Sequence, residues 1–318
     1  MFIYFLSEDM RAHESPPVCF LAVFTLFSVV VSLPVDRPQK RFPNAIIIGV
    51  KKSGTRALLE FLKLNPKIKA PGPEIHFFDK HYELGREWYR DQMPETYRNE
   101  ITIEKSPAYF ISKFVPERVC KMNPKMKLIV VVRNPITRAI SDFTQAVTRK
   151  KRNIFTSKFE ELVSCFNETS PSCHKGVNAS WGAIRIGIYH RPLQKWLQYF
   201  PLNQFLFVDG EKLISDPATQ IRKVEKFLNL NPIVKKSNFV IDPVKKFPCI
   251  KRNTGSVHCL GKSKGRIHPQ VRPIVLQKLA DFYKPENEKF FKIINQRGFF
   301  HWHWFWFIIV VICKITVL

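Results

Sequence analysis

The stretch "IIIGVKKSGTRALLEFL", residues 46–62, restricts the fold more than any other part of the chain. A β-branched apolar run enters a turn holding Gly49 and Gly54 and leaves as an amphipathic helical pattern, so a buried strand ends where a helix N-terminus begins. Successive backbone N–H groups in a glycine-containing turn, aimed by the helix start, suit a tetrahedral anion. Nucleotide triphosphatases of the G-x-x-x-x-G-K-[ST] pattern carry a lysine after the second glycine. Here that place is held by Thr55, then Arg56, while Lys51 and Lys52 supply cations earlier in the turn. The turn therefore argues against triphosphate hydrolysis and leaves the anion open, with an ordinary strand-turn-helix as the plain alternative.

Three more apolar runs, residues 101–103, 128–132 and 205–208, are short, β-rich and bounded by turns, as strands buried on both faces are. Helical patterns at residues 55–64, 135–149, 218–228 and 271–283 alternate with them. This alternation implies one α/β domain with a central, mostly parallel sheet flanked by helices, and ligands at the carboxyl ends of its strands. Residues 150–180 have no clear period and read as a surface excursion. In "VVVRNPITRAISDFTQ", residues 130–145, Arg133 ends a strand and Ser141 stands two turns into the next helix. If both face a second phosphate, the two anion sites on adjacent strand ends would suit a nucleotide with phosphates at both ends of its ribose. Otherwise Arg133 caps a strand and Ser141 is a solvated hydroxyl.

Charge narrows the partner. Lys and Arg number 51 against 26 Asp and Glu, a formal net charge of +25 over 318 residues, which is the field of a protein that meets a polyanion. Neither zinc-finger spacing nor a basic-region heptad accompanies that charge, so nucleic acid is not the expected partner. None of the seven cysteines forms a C-x-x-C pair, against a zinc ribbon or a thioredoxin-like site. The pairs Cys249/Cys259 and Cys165/Cys173 each flank a short polar loop, the first enclosing the turn signal Asn253-Thr254-Gly255. A disulfide there is reasonable, with two reduced thiols as the alternative.

The chain ends carry apolar stretches. Residues 17–34, "PVCFLAVFTLFSVVVSLP", are uncharged and long enough to span a bilayer, as an anchor or an uncleaved signal. Arg37, Lys40 and Arg41 follow that stretch, and counting positive charge would keep the following domain cytosolic. The sequons Asn167-Glu168-Thr169 and Asn178-Ala179-Ser180 point instead to the secretory lumen. Residues 299–318, "FFHWHWFWFIIVVICKITVL", read as a second membrane segment, an interfacial anchor or an artefact of the gene model.

Six stretches in order, "GVKKSGTRALLEFL", "EIHFFD", "ITIEKSPAYF", "VVVRNPITRAISDFTQ", "SWGAIRIGIY" and "HCLGKSKGRIHP", resemble the heparan sulfate glucosamine 3-O-sulfotransferases across residues 42–298. The resemblance implies a P-loop-like sulfotransferase fold. It further implies the donor 3'-phosphoadenosine 5'-phosphosulfate (PAPS), no required metal, and the glucosamine 3-hydroxyl of heparan sulfate as acceptor. Residues 1–41 then form an anchor or signal with a short stem, residues 42–298 the sulfotransferase domain and residues 299–318 a tail without counterpart. The implied setting is the Golgi membrane, with the catalytic domain lumenal behind a single N-terminal span.

By the same resemblance, the phosphosulfate loop falls on Lys52, Ser53, Gly54, Thr55 and Arg56, and the 3'-phosphate contacts on Arg133 and Ser141. A basic donor loop falls on Lys262, Ser263, Lys264, Gly265 and Arg266. The catalytic base falls on Glu74, with Lys52 and His76 beside the reaction. Lys51, Asp79, Lys105, Gln145 and Trp181 fall at acceptor contacts, and Cys249 with Cys259 on the disulfide. The chemistry suits these roles, since a sugar hydroxyl needs a carboxylate to take its proton as it attacks sulfur, and Lys52 can meet charge growing on the departing oxygen. Structural alternatives are a packed His76, an Asp79–Lys105 ion pair and a Trp181 that fills core. Two residues depart from the family pattern: Ser53 stands where glycine is usual, and Asn134 where an acid is usual. The competing functions are a sulfotransferase for another glycan position or acceptor, a P-loop kinase or nucleotidase, and a heparan-binding protein without catalysis.

Overall fold

The apolar runs assemble into one sheet. In the computed structural model, which describes residues 36–149, 158–165, 169–244, 246–252, 254–261, 266 and 268–295, strands β1 (Ala45–Gly49), β2 (Ile68–Lys69), β3 (Ile101–Lys105), β4 (Lys127–Val132) and β5 (Phe205–Asp209) pair side by side. Their order is β2-β3-β1-β4-β5, and every neighbouring pair is parallel. Four of the five are the runs read from the sequence; β2, two residues long, is too short to carry a pattern.

Strand periodicity divides the core. Ile46 and Ile48 pack with Val130, Val132 and Phe207 on one face of the sheet, while Ala45 and Ile47 pack with Ile129, Val131 and Val208 on the other. Burying each of these valine, isoleucine and phenylalanine side chains contributes about 1.5–3 kcal/mol. The chain runs from β1 toward β2 and β3 on one side, then crosses to β4 and β5 on the other. The order reverses at β1, so the crevice beyond its carboxyl end is the topological switch point where ligands bind.

Helix α1 (Thr55–Leu62) buries Ala57, Leu58, Leu59, Phe61 and Leu62. It ends before residue 64 because the chain tightens there: the N–H groups of Leu64 and Asn65 donate to the carbonyls of Phe61 and Leu62, three residues back. Helices α2 (Phe77–Lys80), α3 (Pro135–Arg149), α4 (Pro217–Phe227) and α5 (Pro273–Ile294) follow. Asn134 opens α3 as its cap, Oδ1 accepting from the N–H groups of Ile136 at 2.9 Å and Thr137 at 3.4 Å. Helix α5 continues past residue 283 and through Pro285, because Phe290 and Ile294 beyond it are buried in the core. Packing there outweighs the lost backbone bond.

The described part of residues 150–180 is more than surface. Phe159, Val163 and Val177 are buried against α3 and α5, and Cys165 is disulfide-bonded to Cys173. A few anchors and a covalent link hold this segment, which is why it shows no period. A three-stranded antiparallel ribbon, β6 (Phe239–Ile241), β7 (Pro248–Lys251) and β8 (Val257–His258), precedes residues 259–268, and Cys249 and Cys259 form its disulfide. Among the described residues no helix is long and apolar enough to cross a membrane. The expected N-terminal span, the C-terminal tail, Asn167 and Lys262, Ser263, Lys264 and Gly265 lie outside them.

Replacing Cys249 and Cys259 together by serine is expected to lower the unfolding free energy by roughly 2–3 kcal/mol, from the loop entropy released in the unfolded chain. Chemical denaturation measures this directly, and an unmoved midpoint would contradict it.

Candidate active site

The loop after β1 is shaped by its backbone. Lys52 (φ 73°) and Gly54 (φ 105°) both take left-handed conformations, the kind of turn that aims successive N–H groups at an anion. Glycine does so freely; at Lys52 the conformation costs about 1–2 kcal/mol, so the surroundings must hold it. Val50 N–H donates to the Val131 carbonyl at 2.9 Å, and Ser53 N–H to the Val50 carbonyl at 3.0 Å. Gly210, just past β5, lies so close beneath that a Cβ there would stand 2.5 Å from the Ser53 carbonyl oxygen.

Side chains fix the same loop from α3. Arg138 is fully buried and donates to the Ala183 carbonyl, to the Lys51 carbonyl at 3.4 Å and to Asp142 at 3.2 Å. Asp142 also pairs with the Lys51 ammonium at 2.9 Å. The Ser53 hydroxyl is buried and, among the described residues, finds no partner within hydrogen-bond geometry. It lies near enough to the Tyr189 hydroxyl to lower its pKa, although outside hydrogen-bond geometry. Burial nevertheless pushes Tyr189 up to about 12, and its hydroxyl donates to the Arg133 carbonyl at 2.6 Å.

Glu74 stands at the centre of a second cluster. Its Oε1 accepts from the Lys105 ammonium, and its Oε2 lies 3.3 Å from His76 Nε2. The other imidazole nitrogen, Nδ1, lies 3.1 and 3.0 Å from the two oxygens of Asp79, an acid–imidazole–acid chain that fixes the ring plane. Burial raises the Glu74 pKa, but Lys105 first and His76 second outweigh it, so the carboxyl ends below its usual value. Lys105 is almost fully buried; burial lowers its pKa, with Glu74 pulling it back. His76 itself has a left-handed backbone (φ 56°), and its N–H is held by the Ser106 hydroxyl at 3.0 Å.

Both clusters open on one cleft of about 700 Å³, lined by Lys51, Lys52, Ser53, Gly54, Thr55, Arg56, Glu74 and His76, and further by Arg133, Ser141, Gln145 and Arg266. Arg133 is steered by Glu211, 3.4 Å away. Glu74 and Arg56 also border an adjoining hollow of about 390 Å³, with Lys105 and Glu60 in its wall, and Arg56 is bonded to Glu60 at 2.8 Å. Asp79 stands behind the cleft on His76. Trp181 is elsewhere, edge-on to Phe143 and Phe159 in the third core cluster.

Residues 42–291 match the family described as "Sulfotransferase domain". The mouse (Mus musculus) protein "heparan sulfate glucosamine 3-O-sulfotransferase 6" is 48% identical over 260 residues, 81% of this chain and 73% of that one. The chain belongs to the heparan sulfate glucosamine 3-O-sulfotransferase family. The family's mouse member 3A1 is also 48% identical, over 265 residues and 83% of this chain; of that relative's length the chain spans 65%. The crystal structure of a sulfotransferase from Alicyclobacillus acidocaldarius shares the fold, with a TM-score of 0.58 at 20% identity over 81% of this chain and 97% of its own.

Several residues in and around this cleft escaped the sequence reading. Gly210 and Glu211 directly follow β5, and the carboxyl edge of a parallel sheet was the place to look for them. His268 lies within a stretch that carries the family likeness and also lines the cleft. Glu104 lies within "ITIEKSPAYF", another such stretch, but as one acid in a strand it carries no mark of its own. It is fully buried, accepting from the Ser106 hydroxyl at 2.6 Å and the Tyr89 hydroxyl at 3.4 Å. Burial pushes its carboxyl up to about 7, although Ser106 and Lys105 pull the other way.

A raised acid destabilises as it ionises. The folded chain keeps the Glu104 proton up to about 7, whereas the unfolded chain releases it near 4.5, so the folded state binds more protons between these values. Stability from this group is therefore fullest below the lower value and declines as pH rises toward 7, by on the order of 3 kcal/mol. Glu104→Gln is expected to flatten that decline in denaturation curves recorded from pH 5 to pH 8. A variant that follows the wild-type slope would refute the assignment.

Proposed function

We propose that the chain moves a sulfuryl group from PAPS to the 3-hydroxyl of a glucosamine residue in heparan sulfate, with Glu74 as general base. The observation that carries this reading is the Glu74 carboxylate, held below its usual pKa by Lys105 and His76 and opening on the same cleft as the loop of Lys52 and Gly54. Such a carboxylate is ionised at neutral pH and ready to take a proton.

PAPS fits the donor side. Lys52, Ser53, Gly54, Thr55 and Arg56 would receive its phosphosulfate, and the buried Ser53 hydroxyl, which among the described residues lacks a partner within hydrogen-bond geometry, suits an oxygen-rich anion at this loop. Arg133 and Ser141 would hold the 3'-phosphate, with Arg266 beside them in the cleft wall; the donor-loop residues Lys262, Ser263, Lys264 and Gly265 would add positive charge to the donor side. In the transfer, the acceptor oxygen bonds to sulfur as the sulfur–oxygen bond to the 5'-phosphate breaks. The hydroxyl proton passes to Glu74, and Lys52 meets the charge left on the nucleotide. With the lysine in that role, the reading assigns no metal.

Heparan sulfate fits the acceptor side through the +25 charge, which lowers the cost of joining two anions. Lys51, Gln145 and Lys105 would meet the sugar, and Asp79 would act through His76; Trp181, packed on Phe143 and Phe159, would meet it only beyond the lining of the cleft. An N-terminal anchor within residues 17–34, in the Golgi membrane with a lumenal domain, is supported by the disulfides Cys165–Cys173 and Cys249–Cys259, which persist in oxidising compartments.

The 318-residue chain, incubated with labelled PAPS and heparan sulfate, is expected to place label on glucosamine 3-hydroxyls in disaccharide analysis; label on a 6-hydroxyl or on nitrogen would discard the position. Glu74→Gln is expected to lower kcat by roughly 100 to 10,000-fold while still binding 3'-phosphoadenosine 5'-phosphate (PAP). Normal turnover by that variant would remove Glu74 from the mechanism.

A further inference from the structure

Glu104 and Lys105 end β3, and Ser106 follows. Two of the three already serve the cleft: Lys105 holds the Glu74 carboxylate, and the Ser106 hydroxyl accepts the His76 N–H at 3.0 Å. Glu104 lies beneath them. It is fully buried, as is Ser106, and residues two apart share one face of an extended chain, so the Ser106 hydroxyl donates to Glu104 Oε1 at 2.6 Å. Tyr89 donates to the other oxygen at 3.4 Å. Tyr109 interacts with both Glu104 and Ser106, and its own hydroxyl accepts the Phe78 N–H at 3.3 Å. The start of α2 therefore hangs by two backbone N–H groups from hydroxyls gathered around one buried acid. It includes the left-handed His76, whose ring reaches Glu74 Oε2, and Asp79, which holds that ring from behind. An apolar side chain at position 104 would escape the desolvation that the acid suffers there, so stability does not account for it.

We propose that Glu104 is a positioning residue for sulfuryl transfer: by accepting the Ser106 hydrogen bond it turns that hydroxyl's lone pairs to the His76 N–H, and so fixes the imidazole and the line along which Glu74 meets the acceptor. A hydroxyl has one proton and rotates to suit its partners. With Glu104 as acceptor the rotor has one setting; without it the proton can swing toward His76, and the N–H loses its partner. His76 then has less to hold it at φ 56°, a conformation that a residue other than glycine keeps only when its surroundings enforce it. Glu104 serves in either protonation state, because the neutral acid carries its proton on Oε2, toward the Tyr89 oxygen, and leaves Oε1 to accept. It touches neither donor nor acceptor and acts through Ser106 and His76. The inference rests on the reading of Glu74 as general base.

Steady-state kinetics of the 318-residue chain with PAPS and heparan sulfate, alongside calorimetric titration of PAP, tests this. Glu104→Leu, similar in bulk but without an acceptor, is expected to lower kcat roughly 10- to 100-fold, the scale of a misplacement of about 1 Å. KM for PAPS and the affinity for PAP are expected to stay at wild-type values, because the Lys52 loop is untouched. Ser106→Ala is expected to do the same, and the two together no more than the worse of them, since they interrupt one path. Glu104→Gln keeps an acceptor oxygen and is expected to recover most of the loss. In a Glu74→Gln background, Glu104→Leu is expected to cost nothing further. Wild-type kcat in Glu104→Leu or Ser106→Ala, losses that multiply in either double variant, or PAP affinity that falls together with kcat would each overturn the proposal and leave Glu74 as base. Should Glu104→Leu not fold, the other two single variants decide: wild-type kcat in Ser106→Ala, or a loss in Glu104→Gln as large as in Ser106→Ala, would overturn it. Normal turnover by Glu74→Gln alone would remove the base and this inference with it.

Discussion

Everything at the site depends on a strand with no freedom. β1 is buried over its whole length and paired on both edges, so the point where it releases the chain is fixed by the core itself. The turn that follows inherits that precision. Its left-handed residues Lys52 and Gly54 stay where they are because Val131, Gly210 and Arg138 leave the backbone nowhere else to go. An anion loop assembled in this way needs little rearrangement on binding, which is the condition for electrostatic catalysis without a reorganisation cost.

Four basic side chains of the cleft and its adjoining hollow are already engaged with acids. Lys51 pairs with Asp142, Arg56 with Glu60, Lys105 with Glu74 and Arg133 with Glu211. Each carboxylate orients its partner and limits the positive potential that the folded chain must tolerate. An incoming polyanion must therefore compete for these cations, and it trades raw affinity for direction. The Lys105–Glu74 pair shows the tension most sharply. The ammonium that keeps the carboxylate ionised also weakens it as a base, so acceptor groups that draw Lys105 away would strengthen Glu74 at the moment its proton affinity matters.

Much of this was legible in the sequence, and unevenly so. Four strands and the anion loop follow from apolar runs and glycine placement, because a strand buried on both faces leaves a strong local signature. Glu74 and Lys105 were reached through resemblance, since nothing in one acid or one lysine marks it apart from its neighbours, whereas Arg133 was marked by its place at the end of a strand. Glu211, Gly210 and His268 come from the far side of the sheet or from after the ribbon, and only the fold brings them to the loop. Asn134, which departs from the family's usual acid, explains itself once α3 is seen to begin on its side chain. The end of α5 was hidden for the opposite reason: Pro285 is a local signal to stop, overruled by burial of residues beyond it.

The contact between Gly210 and the Ser53 carbonyl makes the bottom of the cleft sterically frozen. A side chain at Gly210 would have nowhere to go, so any drift in donor preference within such a protein is confined to its walls: Arg133 and Ser141 on one side, the segment around Arg266 on the other. The floor preserves the oxyanion while the walls remain free to change the molecule attached to it.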